Sequence, residues 1–533
     1  MINLNLKSKL IDFKNCLFSS KKFWLIFLIF FTILGLSTVS YENILHPKFE
    51  LLMFIVLVLL GIFSIVYYFR HNSEKELFKV AFVIILCFGI ITSFIVPIVD
   101  VSDEVEHLTR AEITSNGIIF PHWTGDDVGI DRLYNHTDKE FSDEKNLNVG
   151  FETISSLDFY DANREVTVFQ TDHDTDKINH TTFIKGSSFE QNPFYGYLPQ
   201  ALGILIAKLF DLNVIWMLWL GRICNLICYA GLISLAIKIT PKLKIPLLAV
   251  ACIPITIYQA ASISIDSMLF GLGILTIAYF IKLCMLQDNS IEIKKILIYM
   301  ILCLLMGLCK LPYLAFIFLI LFIPKNKFKN DTNTKIMVLL SIFVVAIIGI
   351  LWSRYSTPTL MHSWRSQLNY VNSTQQINFL INNPNQFLSF FKQIFTTDLV
   401  YVFNGVFNFF NGKLGLHYQD NYNFITLCLQ IFLAIVLFAY PNDERFDLKT
   451  RIGAFLIILI VYVGTCFIQL LTWAYVGQMG LGILVRYFIP LFALIPIVFN
   501  TNYFKNEKID KYCIVLIVTF MATLVFSFVT KYY

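Results

Sequence analysis

Apolar runs close to the roughly 20 residues that carry an α-helix across a hydrocarbon core about 30 Å thick recur from Phe23 almost to the last residue. Short polar turns separate most of them, and two long polar segments, 101–192 and 354–421, interrupt the series. The pattern predicts an all-α, polytopic transmembrane protein of about 13 spans, at 23–40, 50–69, 78–99, 213–237, 245–260, 265–283, 296–309, 311–323, 335–353, 422–440, 452–473, 484–499 and 512–530. Residues Phe194 to Phe210 are apolar too, but Gly196, Pro199 and Gly203 interrupt them.

Short loops rich in Lys and Arg stay in the cytoplasm. Counting 194–210 as a span would move Lys238, Lys242 and Lys244 outside, so that stretch is read as an interfacial or re-entrant helix. The expected organisation is a cytoplasmic segment 1–22, spans 1–3 within 23–100, and a large extracytoplasmic acidic loop 101–192. The interfacial helix and spans 4–9 occupy 193–353, a second extracytoplasmic segment covers 354–421, and spans 10–13 lie within 422–533. The N-terminus, with Lys7, Lys9, Lys14, Lys21 and Lys22, is expected inside. The first apolar run lacks a small-residue cleavage pattern and is read as a retained helix.

Composition agrees with a bilayer as solvent: 56% of the side chains are hydrophobic, only 15% are charged, and the mean hydropathy is +0.66. Charge changes the picture more. Residues 101–192 hold 19 Asp and Glu against 7 Lys and Arg, so this loop carries −12 and the rest of the chain +16. An acidic outer face repels phosphates, which argues against nucleic acid as a partner. The 11 cysteines lie in apolar runs or, for Cys16, in the N-terminal segment, so neither long polar segment can form a disulfide.

The chemistry concentrates just after the third span, in Asp100-Val-Ser-Asp103-Glu104-Val-Glu106-His107-Leu-Thr-Arg110-Ala-Glu112. As a helix with Ser102 as N-cap and Gly117 as stop, this run places Asp103, His107 and Arg110 on one face. An acid, an imidazole and a fixed cation would meet where membrane meets water. The same spacing also fits an ordinary helix start, with acids complementing the macrodipole and Asp103–His107 as a surface pair. A second acidic cluster, Asp172-His173-Asp174-Thr-Asp176 with His180, begins like a calcium loop, but Lys177 and Phe183 stand where glycine and a bidentate Glu are required, and it is read as a solvated turn. Aromatic residues of the second polar segment, among them Trp364, Tyr370, Phe387, Phe390 and Phe391, fit an interfacial belt, with Pro384 to Phe410 as an amphipathic surface helix.

Several motifs follow in order over roughly residues 78–500. These are Asp103-Glu104-x-x-His107 with Arg110 and Gly117, Tyr197-Leu-Pro199-Gln200-Ala-Leu-Gly203, Arg222, Gln259-Ala-Ala-Ser262 with Asp266, Lys310 with Tyr313, and Arg486-Tyr487-Phe488-Ile-Pro490. Together they resemble a bacterial family of predicted membrane proteins of unassigned function, which is similar to the GT-C class of polyprenyl-phosphate-sugar glycosyltransferases. That resemblance implies a GT-C-like fold in the bacterial plasma membrane, with an acidic catalytic pair in the first large outer loop and a donor sugar carried on polyprenyl phosphate. Two helices precede the span with which the class pattern begins. Asp103, Glu104 and His107 are the catalytic candidates. Arg110, Arg222, Asp266, Lys310, Arg486 and Tyr487 are the substrate-binding ones.

Transfer from a lipid phosphate needs a base for the acceptor hydroxyl and positive charge for the departing phosphate. Asp103 suits the base, and Glu104 suits orienting the acceptor or a divalent cation, Mg2+ or Mn2+. Arg222, Lys310 and Arg486 are candidate cations, because intramembrane charges are costly and rarely idle. Lys310 and Arg486 also fit snorkelling at helix tips. Arg222 lies nine residues into its span and needs a partner such as Asp266 or a phosphate, while Asp266, near Ser262 and Ser264, also fits an N-cap. The expected function is transfer of a sugar to an extracytoplasmic envelope glycan. A lipid-linked glycan transporter or flippase, and a non-catalytic subunit of an envelope-polysaccharide complex, are the alternatives.

Overall fold

The computed structural model describes residues 14–39, 47–120, 177–178, 189–361, 371–409, 424–441, 445–499 and 509–533, apart from the single positions 72, 74, 99 and 481. Among the described residues the chain is helical throughout, with two isolated β-bridges and no strand. Most of the acidic loop, including the 172–176 cluster, and Trp364 and Tyr370 lie outside them.

Seven helices are long and apolar enough to cross a membrane: Pro47–Arg70, Leu77–Ile95, Ile215–Ile239, Asp266–Cys284, Thr332–Ser356, Leu448–Thr472 and Ile509–Tyr532. The other six expected spans differ, and proline and helix length explain how. Residues 245–260 divide into Lys244–Ala251 and Pro254–Ala260, because Pro254 cannot donate to the preceding turn. Residues 484–499 divide at Pro490 and Pro496 into Val485–Phe488, Ile489–Phe492 and Ile495–Phe499. Lys21–Leu36, Ile293–Cys309 and Phe424–Phe438 are shorter helices, and Leu311–Phe322 is wound as a 3-10 helix. About 13 spans is therefore more than the seven full-length helices found among the described residues.

Asp266–Cys284 and Ile509–Tyr532 form the centre of the bundle, each 94% buried over its apolar window, whereas Thr332–Ser356 is only 17% buried and faces outward. The stretch expected to be interfacial forms a short 3-10 turn, Phe194–Tyr197, and the 12-residue helix Leu198–Leu209, too short to span. This helix lies so close to Ile215–Ile239 that a Cβ on Gly203 would come within 2.2 Å of the Leu220 carbonyl oxygen. The amphipathic segment bends at Thr396 into Pro384–Phe395 and Thr397–Val406.

Candidate active site

The link between the Leu77–Ile95 helix and the Glu104–Ser115 helix shapes one end of the bundle. Asp103, not Ser102, is the residue preceding the second helix, and it sits in the left-handed region at φ 61°. Aspartate is one of the few residues that visits this region, though still at a cost. Gly117, at φ +81°, ends the helix as expected. The left-handed turn sends consecutive carboxylates, Asp103 and Glu104, to different arginines.

Glu104 is fully buried against Arg222. The Arg222 Nε donates to Glu104 Oε1 at 2.8 Å and Nη2 to Oε2 at 2.5 Å. Nη1 donates to the carbonyls of Ser93 and Val96, and Nη2 also to that of Pro97. A guanidinium has five N–H donors, and all five are used. Glu104 Oε1 additionally accepts the Ile263 amide at 2.9 Å. The partner that Arg222 requires is thus Glu104 rather than Asp266, and the pair offers no donor to a ligand in this conformation.

Asp103 is different. Its side chain keeps 20% of its surface, and its Oδ2 lies 3.1 Å from Arg486 Nη2 and 3.2 Å from the Ser102 hydroxyl. Arg486 Nε donates to Asp266 Oδ2 at 2.6 Å. Asp266 opens its helix, but Ser264 Oγ caps that turn by accepting the Asp266 amide, so the aspartate side chain is released to Arg486. Lys310, between Ile293–Cys309 and Leu311–Phe322, places Nζ 2.9 Å from the centre of the Tyr487 ring. Tyr487 in turn uses its carbonyl to accept from Tyr313 at 2.6 Å. Burial lowers the Lys310 ammonium to about 7 against the opposing pull of Asp266. Arg486 is 2% exposed and held by two carboxylates, so it does not snorkel.

His107 and Arg110 form a second group on the Glu104–Ser115 helix. The buried Tyr197 hydroxyl accepts from Asn192 Nδ2 at 3.0 Å and lies 2.7 Å from His107 Nδ1. Burial raises this phenol well above its ordinary range, so it stays protonated and donates to Nδ1; the network assigns the imidazole proton to Nε2. His107 stacks on Phe189, with ring centres 4.2 Å apart. Arg110 lies over the Tyr197 ring and donates to Thr114 Oγ1 and to the carbonyls of Ile119 and Asn192. The structure therefore divides the expected face: Asp103 turns to Arg486, while His107 and Arg110 turn to Tyr197.

Among the described residues no three His, Cys, Asp or Glu side chains converge on one point. Arg486 spans Asp103 and Asp266, and Glu104 is committed to Arg222, so these residues do not fit a Mg2+ or Mn2+ site as they stand. Sequence reasoning missed Tyr197 as the partner of His107 and Asp100 as a buried anchor. Both stood inside quoted motifs, but nothing in a spacing of 90 residues marks Tyr197 as a contact.

No curated protein and no solved structure matches the chain. A family profile described as "Predicted membrane protein (DUF2142)" matches residues 86–495, a stretch that contains every one of the site residues above. The chain belongs to that family of predicted membrane proteins.

Proposed function

We propose that the protein is a GT-C-like integral membrane glycosyltransferase, moving a sugar from a polyprenyl-phosphate donor to an envelope glycan on the outer face of a bacterial plasma membrane. One observation carries this reading: the single turn Val485–Phe488 joins a charged cluster to an apolar groove. Arg486 faces Asp103 and Asp266, while Phe488, two residues on, lines a cavity of about 340 Å³. Phe403, Tyr462, Leu491, Phe492 and Val498 also line it, and the Tyr462 hydroxyl is turned away to the Ile394 carbonyl. Phe395, Phe455 and Phe499 on its wall remain 42%, 52% and 45% exposed, so the groove opens toward the lipid side. A phosphate at Arg486 and Lys310 with its hydrocarbon tail in the groove satisfies both halves.

In this mechanism the acceptor hydroxyl attacks the anomeric carbon, the bond from that carbon to the phosphate oxygen breaks, and the hydroxyl proton passes to Asp103. The departing phosphate keeps the electron pair, and Arg486 with Lys310 offsets its charge. Asp103 accepts the proton once the phosphate replaces it on Arg486. Glu104 and Arg222 hold the segment that carries Asp103, and the buried His107, Arg110 and Tyr197 brace the helix that follows it.

The test is reconstitution in liposomes with a labelled polyprenyl-phosphate sugar and an envelope glycan acceptor. The expected result is covalent product without net lipid translocation, and an Asp103→Asn variant slower by about 10²–10⁴ with unchanged melting. Asparagine also tolerates the left-handed backbone, which keeps the comparison clean. Full turnover in Asp103→Asn, or translocation with no product, rejects the proposal.

A further inference from the structure

The link 96–103 that carries Asp103 is held, together with the end of the helix before it, from two sides. Arg222 grips one side through the carbonyls of Ser93, Val96 and Pro97. On the other side stand three phenols. The Tyr258 hydroxyl reaches both the Asp100 carboxylate, at 2.7 Å, and the Asp100 carbonyl, at 3.0 Å. The Tyr532 hydroxyl donates to the same Asp100 Oδ2 at 3.0 Å, and the Tyr533 hydroxyl donates to the Ile95 carbonyl at 3.2 Å. Asp100 is 4% exposed, and its Oδ1 has no partner among the described residues.

Tyr532 ends the central Ile509–Tyr532 helix, which lies beyond the stretch matched by the family profile. We infer that Tyr532 is a positioning residue: through Asp100 it fixes the left-handed turn at Asp103 and thereby aims that carboxylate at Arg486. The physical reason is that a buried carboxylate with only one oxygen satisfied depends heavily on each of its donors. Without the Tyr532 hydroxyl, Asp100 gains by moving toward water, and Asp103, three residues on, moves with it. The inference concerns the same cluster as the proposed transfer and rests on that reading only for its consequence in turnover.

The experiment places a reporter at the turn. In the full chain in nanodiscs, Asp103→Cys puts a thiol beside Arg486, where the guanidinium favours the thiolate and lowers its apparent pKa. Its modification by a membrane-impermeant maleimide is followed against pH, with and without Tyr532→Phe. The expected result is a pH profile moved up toward that of an ordinary thiol, and a labelling rate changed by about fivefold, as the loss of one hydrogen bond does to an opening equilibrium. Tyr299→Phe, which removes an equally buried hydroxyl from the Phe316 carbonyl, is expected to leave the profile in place. If adding Tyr258→Phe to Tyr532→Phe still leaves the profile unmoved, or if Tyr299→Phe moves it equally, the inference is overturned. The thiol reads geometry rather than transfer, so a moved profile in the reporter, with no product from the parent protein that keeps Asp103, upholds Tyr532 and rejects the transferase alone.

Discussion

Asp103 and Glu104 are neighbours in sequence, and each meets an arginine, yet the two pairs have opposite character. Glu104–Arg222 is a closed pair: both side chains are fully buried, both carboxylate oxygens are occupied and all five guanidinium donors are used. Asp103–Arg486 is an open one: the carboxylate is partly exposed, its arginine is shared with Asp266, and Lys310 stands nearby on the Tyr487 ring. A saturated pair can hold a fold together but has no group to spare. A shared arginine can exchange one carboxylate for a phosphate, because the second carboxylate keeps it in place. The left-handed φ of Asp103 is what makes the two adjacent side chains part.

The largest expected effect falls on the closed pair. Glu104→Ala or Arg222→Ala leaves an uncompensated buried charge and is expected to cost about 3–5 kcal/mol of stability, read as loss of the monodisperse, thermally stable species in detergent. Normal melting for either variant would remove the distinction drawn between the pairs.

Arg486→Lys keeps a cation but loses the fork that spans two carboxylates. Its expected cost is smaller, about 1.5–3 kcal/mol, while binding of a lipid-phosphate donor weakens. The difference between the pairs is sharpened if donor binding suffers more than melting, and lost if this variant unfolds as readily as Glu104→Ala.

The smallest effect concerns pH. Burial places the Lys310 ammonium at about 7, below its ordinary value of 10.5. Between those two values the unfolded chain binds the extra proton, so this group's contribution to stability rises with pH through that window. A bound phosphate has the opposite preference and favours the ammonium. Donor affinity is therefore expected to fall as pH rises above about 7, by about tenfold for each unit by which the phosphate raises Lys310. Titration of binding in the parent and in Lys310→Met checks this; a pH step that persists in the variant assigns it to another group.

Much of the helical framework was legible in the chain because a bilayer demands long apolar runs, a local property that any window of residues displays. Where the expected spans broke, at Pro254, Pro490 and Pro496, the signal was also local and was present. The 3-10 winding of Leu311–Phe322 has no such marker. The candidate site was legible only as a list of costly groups. Arg222, Asp266, Lys310 and Arg486 announce themselves because intramembrane charges need partners, and the match over residues 86–495 encloses them all.

What the sequence by itself determined is a helical membrane protein of the family described as "Predicted membrane protein (DUF2142)", together with the identity of its buried ionisable groups. Which acid meets which base was decided by tertiary structure alone. Glu104 and Arg222 are 118 residues apart, Asp266 and Arg486 220, and Asp103 and Arg486 383. Coulombic attraction does not depend on separation along the chain, so only the packing of helices, and one left-handed turn at Asp103, could assign the partners.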